Sequence, residues 1–168
     1  WSPTWAAFSH RRSPTMMSGY QNQPEKTAEA SWYDAEGVRW QRMGDIGRVD
    51  EDGFIELVGR AKDMIISGGF NIYPVDLETA LMQHPDVEEA AVIGMPSEKW
   101  WETPVGFVSP ATGATLDVDA VLTATNAKLG KTQRLSAVYA IDEMPRSHIG
   151  KLLKTDLRYL AAEKQNGA

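Results

Sequence analysis

Cysteine is absent from the 168 residues. That one absence removes disulfides, thiolate zinc sites, iron–sulfur clusters and thiol nucleophiles together, and it suits a reducing, cytoplasmic setting. Histidine is scarce: His10, His84 and His148 lie far apart with no H-x-x-x-H pairing, which argues against a histidine-rich metal site. No apolar run approaches the roughly 18 residues that a bilayer-spanning helix requires; stretches such as Ala90 to Ile93 are far shorter, so no membrane span is expected. Positive charge is in deficit, with 17 Lys and Arg against 23 Asp and Glu, and the net of −6 argues against a nucleic-acid partner held by phosphate neutralisation. What is present is the composition of a globular chain: 42% hydrophobic, 24% charged and 9% aromatic.

The charge is unevenly distributed. Asp34 to Asp119 holds 17 acidic and 6 basic residues, whereas Lys128 to Arg158 holds 7 basic and 3 acidic. A basic C-terminal segment in an acidic chain is either a solvated helix face or a surface that meets an anionic small molecule, and charge alone does not choose.

The first 30 residues carry turn formers (Pro3, Pro14, Gly19, Pro24) and few periodic apolar positions, so they read as loop, with 1–13 loop or disordered. Strands are expected at Val38–Arg42, at Ile46–Val49 and at Phe54–Val58, the last two joined across Asp50-Glu51-Asp52-Gly53 as a hairpin. A short strand over Asp63–Ser67 stops at Gly68-Gly69. Pro74 then opens a helix with Val75, Leu77, Ala80 and Leu81 as its apolar stripe. Strands at Glu88–Gly94, Pro104–Ser109 and Ala137–Ile141 alternate with a helix over Asp117–Leu129, and Leu153, Leu157 and Leu160 mark a final amphipathic helix. The class is therefore α+β: a small mixed sheet with flanking helices, preceded by antiparallel hairpins. The hairpin-rich section ends near Gly59-Arg60, so the expected domains are 1–59 and 60–168.

Three clusters could carry chemistry. Asp45, between Gly44 and Gly47, is by default a turn residue bonding its own backbone. Its functional use would be a carboxylate accepting from a vicinal diol. Gly59-Arg60-Ala61-Lys62-Asp63 precedes Ser67-Gly68-Gly69-Phe70-Asn71-Ile72-Tyr73-Pro74, in which paired glycines serve either a tight turn or a backbone that a ligand approaches closely. Pro145-Arg146-Ser147-His148-Ile149-Gly150-Lys151 has a Gly-Lys step without the upstream glycine spacing of a P-loop. Lys151 is then either a solvated charge or a mobile cation on a flexible loop, presented to a developing anion.

Taken in order, Met43-Gly44-Asp45, Gly59 through Pro74 and Pro145 through Lys151 resemble the C-terminal portion of the adenylate-forming acyl-CoA synthetases, a superfamily shared with luciferases and peptide-synthetase adenylation domains. The resemblance runs from about Pro14 to Arg158, and its Ile65 to Pro74 segment looks like the CoA-ligase branch. Met43 stands where the family usually has threonine and Trp101 where it usually has glycine.

The resemblance implies roles. Asp45 and Arg60 would hold the ribose hydroxyls of ATP and acyl-AMP, and Lys62 would be the hinge between a large domain and a small mobile one. Gly68 and Gly69 would border the pantetheine channel of CoA, and Lys151 would bridge the substrate carboxylate and the α-phosphate. The cofactors implied are ATP/AMP, CoA and Mg²⁺, with the Mg²⁺ ligands, the ATP phosphate loop and the acyl pocket expected outside this chain. Its partners would be its own missing N-terminal domain, a small carboxylic acid and CoA, and the chain alone would be inactive. Alternatives are an enzyme that loads a carrier-protein arm, or a stand-alone interaction or regulatory module that kept the fold.

Overall fold

The computed structural model describes residues 7–166, with side chains from 10 to 165. The chain forms two compact units, Trp1–Lys62 and Asp63–Ala168.

The first unit is a sheet built on one long strand. β1 (Ala7–Arg11) is followed by α1 (Pro24–Glu29), β2 (Ser31–Tyr33), β3 (Arg39–Val49) and β4 (Ile55–Arg60). Every partner pairs antiparallel with β3. Gln41 faces Arg11 and Ser31, and Gly47 faces Ala7 and Leu57, so β1 runs along one edge of β3 while β2 and β4 share the other. Residues 7–11, read from sequence as loop, are a strand because β3 supplies a partner some 35 residues away, a contact no local pattern announces; residues 1–6 of that stretch lie outside the described residues. The two short strands expected between Val38 and Val49 are one strand, continuous through Gly44, whose φ of +73° lies in the irregularity where the β1 register jumps from Ile46 to Arg42.

The second unit contains β5 (Ile65–Ser67), β6 (Phe70–Ile72), α2 (Pro74–Met82), β7 (Val87–Ser97), β8 (Trp101–Pro110), α3 (Val118–Lys128), β9 (Ala137–Ala140) and α4 (Lys154–Asn166). Its sheet runs β6-β5-β8-β7 with β9 added to β8, antiparallel except for the β8–β9 pair. β7 and β8 are neighbours along almost their whole length, from Val87↔Pro110 to Ser97↔Trp101.

Alternation along β7 separates two cores. Val92 points to one face with Leu77 and Leu81 of α2 and Val121 of α3, whereas Ala91 and Ile93 point to the other with Phe107, Leu157 and Ala161. The sheet is thus covered by α2 and α3 on one side and by α4 on the other, giving the α+β architecture. Leu77, Leu81, Phe107 and Leu157 are fully buried, each contributing about 1.5–3 kcal/mol of burial. Pro74 at the first turn of α2 lacks the N–H that the helix start leaves unpaired anyway, and Asp117 caps α3 by accepting from the amides of Asp119 (3.1 Å) and Ala120 (3.0 Å). Among the described residues no helix is long and apolar enough to cross a membrane.

Candidate active site

Asp45 sits in mid-strand, not in the turn expected for it, and its Cα partner across the β3–β4 ladder is Arg60. Cross-strand pairing makes the contact: Arg60 Nε lies 2.7 Å from Asp45 Oδ1. The carboxylate is 24% exposed and the guanidinium 55%. The pair sets a carboxylate beside a planar guanidinium, both partly open to solvent. An acceptor beside planar donors on one surface is the arrangement that a pair of vicinal hydroxyls can satisfy.

Lys62 is the middle residue of a 3₁₀ turn, Ala61–Asp63, and the last residue of the first unit. Its side chain is exposed. Gly68 and Gly69 are the two-residue connection of the β5–β6 hairpin, with φ of +55° and +84°, the all-positive turn that matches strand twist. They differ in surroundings. The Gly68 amide donates to the Trp100 carbonyl (2.9 Å), and a Cβ at Gly68 would sit 2.6 Å from Trp100 Cε3, while a Cβ at Gly69 would meet nothing within 4 Å.

Beside this hairpin opens a pocket of about 410 Å³, walled by Ser67, Phe70 and Trp100 on one side and by Lys131, Arg134 and Leu135 on the other. Asn126 pins the second wall to α3: it accepts from the Leu135 amide (2.8 Å) and donates to the Leu135 carbonyl (2.9 Å), as a neighbouring strand would. Two cations and two aromatic rings lining one pocket suit an anionic ligand with a flat or apolar part. Sequence reasoning found the glycines but missed Trp100, Lys131 and Arg134, because their approach depends on β8 bringing its neighbours together.

Lys151 is exposed, and the segment carrying it forms a closed hairpin. Leu153 donates to the Pro145 carbonyl (2.8 Å), Ser147 to the Lys151 carbonyl (2.8 Å) and Gly150 to the Ser147 carbonyl (2.8 Å). The Lys151 amide donates to Ser147 Oγ (3.1 Å), and Arg146 pairs with Leu152. The turn closes because Gly150 takes φ of +79°. Among the described residues no three His, Asp or Glu side chains converge on a point where a metal ion could sit.

Residues 76–151 match the family described as the AMP-binding enzyme C-terminal domain. The 2-succinylbenzoate–CoA ligase of Geobacillus kaustophilus (strain HTA426) is 40% identical over 151 residues, which is 89% of this chain and 29% of the relative. The indoleacetate–CoA ligase of Aromatoleum aromaticum (strain DSM 19018 / LMG 30748 / EbN1) is 39% identical over 91% of this chain and 29% of its own length. Among solved structures, ATP-bound MatB from Rhodopseudomonas palustris superposes with a TM-score of 0.78 at 35% identity, over 89% of this chain and 29% of that one. The chain therefore spans less than a third of the relatives it matches.

Proposed function

We propose, from the match of residues 76–151 to the AMP-binding enzyme C-terminal domain and the likeness to CoA ligases, that the chain is the C-terminal part of an adenylate-forming, ATP-dependent acid–CoA ligase. The reaction is carboxylate plus ATP to acyl-AMP and pyrophosphate, then attack of the CoA thiol on the acyl carbon, with AMP leaving. Residues 1–59 close the large domain and 60–168 form the mobile one. Asp45 and Arg60 hold the ribose diol of the adenylate. Lys151 stands between carboxylate and α-phosphate, where an ammonium offsets the repulsion of two anions and the charge developing between them. Gly68 and Gly69 leave the pantetheine arm a path that a side chain would obstruct. Lys62 is the hinge. Without the remaining length, the chain alone forms no acyl-AMP.

One observation carries this reading. Arg146 of the Lys151 hairpin and Lys154 at the start of α4 are bonded to Glu89 and Val92 of β7, whereas Gly68 is held by Trp100, just past Ser97 at the far end of the same strand. Five to eight strand residues separate the two features, roughly 16–26 Å at about 3.3 Å per residue. A domain with two such features at opposite ends of one sheet serves two half-reactions by turning, first one end and then the other toward the adenylate.

The cations of the pocket beside Gly69 favour free CoA over a carrier-protein arm, since CoA's nucleotide end bears phosphates that a protein-bound arm lacks. In the ligase containing this chain, with 2-succinylbenzoate and indoleacetate heading the panel of acids, Arg134→Ala should raise KM for CoA by about tenfold and leave KM for pantetheine unchanged. Equal effects on both thiols would contradict the assignment, and acylation of a carrier protein in preference to CoA would replace it.

A further inference from the structure

We infer that Arg146 is the positioning residue for Lys151, fixing the peptide group on which Lys151 is mounted. The inference rests on the role proposed above for Lys151 and adds a cause for its orientation.

Gly150 has the widest backbone freedom of any residue type, so the Gly150–Lys151 peptide could rotate and swing the ammonium away unless both its polar atoms are held. Both are held. Arg146 Nη1 donates to the Gly150 carbonyl (3.1 Å), and the N–H of the same peptide, from Lys151, donates to Ser147 Oγ (3.1 Å). The other terminal nitrogen of the same guanidinium donates to Glu89 Oε1 at 2.8 Å, tying the fork to β7. One planar group therefore joins the sheet to the carbonyl immediately before Lys151.

The far end of the segment is anchored separately. Lys154 Nζ reaches Glu78 Oε1 (3.1 Å) and the Val92 carbonyl (3.1 Å), and Glu78 Oε1 also accepts from the Val92 amide (2.9 Å). With α4 secured there, Arg146 governs the turn and not the helix behind it. An ammonium at 146 lacks two diverging coplanar donors, so lysine does not reproduce the bridge. Arg146 and Glu89 are each nearly half exposed, which limits the ion pair by itself and places the effect in the geometry of the turn.

The test begins on the 168-residue chain, by amide hydrogen exchange of wild type, Arg146→Ala and Arg146→Lys. Exchange at Gly150 and Lys151 should quicken by on the order of tenfold in both variants, while the Val92 amide in β7 and the amides of α4 keep their protection. In the ligase containing the chain, Arg146→Ala should then lower kcat for adenylation with KM for ATP little changed, and leave thioester formation from supplied acyl-AMP intact. Unchanged exchange at Lys151 would overturn the clamp. Faster exchange with normal adenylation, in an enzyme that Lys151→Ala disables, would overturn the positioning role alone. Normal adenylation by Lys151→Ala would instead overturn the role of Lys151 itself, with the exchange data still reporting whether the clamp exists.

Discussion

Trp101 is held at φ +70°, a conformation in which an L side chain crowds its own carbonyl, and it is 86% exposed, so its indole gains little from burial in return. The ladder imposes this, since Trp101 is in register with Ser97 on one side and Ser67 on the other. Left-handed geometry costs roughly 1–2 kcal/mol for a residue with a Cβ. Trp101→Gly should therefore be more stable than Trp101→Ala by about 1 kcal/mol in urea unfolding, because both remove the indole and only glycine removes the strain. Equal stability of the two would mean that the turn relaxes when the indole is gone. The sequence anticipates glycine here by resemblance; the strain itself becomes visible only with the backbone angle.

At the scale of elements, the turn between β2 and β3 is built by one carboxylate. Asp34 Oδ2 accepts from the Trp40 indole N–H (2.8 Å), and Oδ1 accepts from the amides of Val38 (2.8 Å) and Glu36 (3.1 Å). The Trp40 bond first, then the Val38 amide, holds the Asp34 carboxyl below the usual carboxylate range; the Glu36 amide and the Arg12 charge add to this, and partial desolvation opposes it. A lowered folded-state pKa stabilises the fold above the unfolded pKa, about 4 for aspartate, and that contribution is lost as pH falls through the folded value. The stability gap between wild type and Asp34→Asn should thus be constant near neutrality and shrink below about pH 4; a gap independent of pH would show that the charge is not involved. The hairpin at Asp50–Gly53, the helix that Pro74 opens and the stripe of Leu157 and Leu160 were legible because their signals are local. β1 and β6 were not, because each exists only through a partner strand, and neither was the tie of the Lys151 hairpin to the sheet, which runs from Arg146 to Glu89 nearly sixty residues upstream.

For the whole molecule, the proposal requires that one small domain serve two chemical steps from two ends of one sheet, and the two glycines offer unequal ways to test it. A side chain at Gly68 would strike Trp100, whereas one at Gly69 enters open space. There it meets only the backbone cost of a φ of +84°, which Gly69→Ala carries as well; Gly69→Leu compared with Gly69→Ala therefore reports on ligand passage. The decisive measurement is the pair of half-reactions, acid-dependent ATP–pyrophosphate exchange and conversion of supplied acyl-AMP to acyl-CoA, in the ligase containing this chain with Lys151→Ala or Gly69→Leu. Lys151→Ala should lower exchange by on the order of 10²–10³-fold and leave the thioester step largely intact, and Gly69→Leu should do the reverse. If the two variants lose both half-reactions equally, Lys151 and Gly69 serve a single arrangement of the site, and the account of a domain that turns between two steps is contradicted.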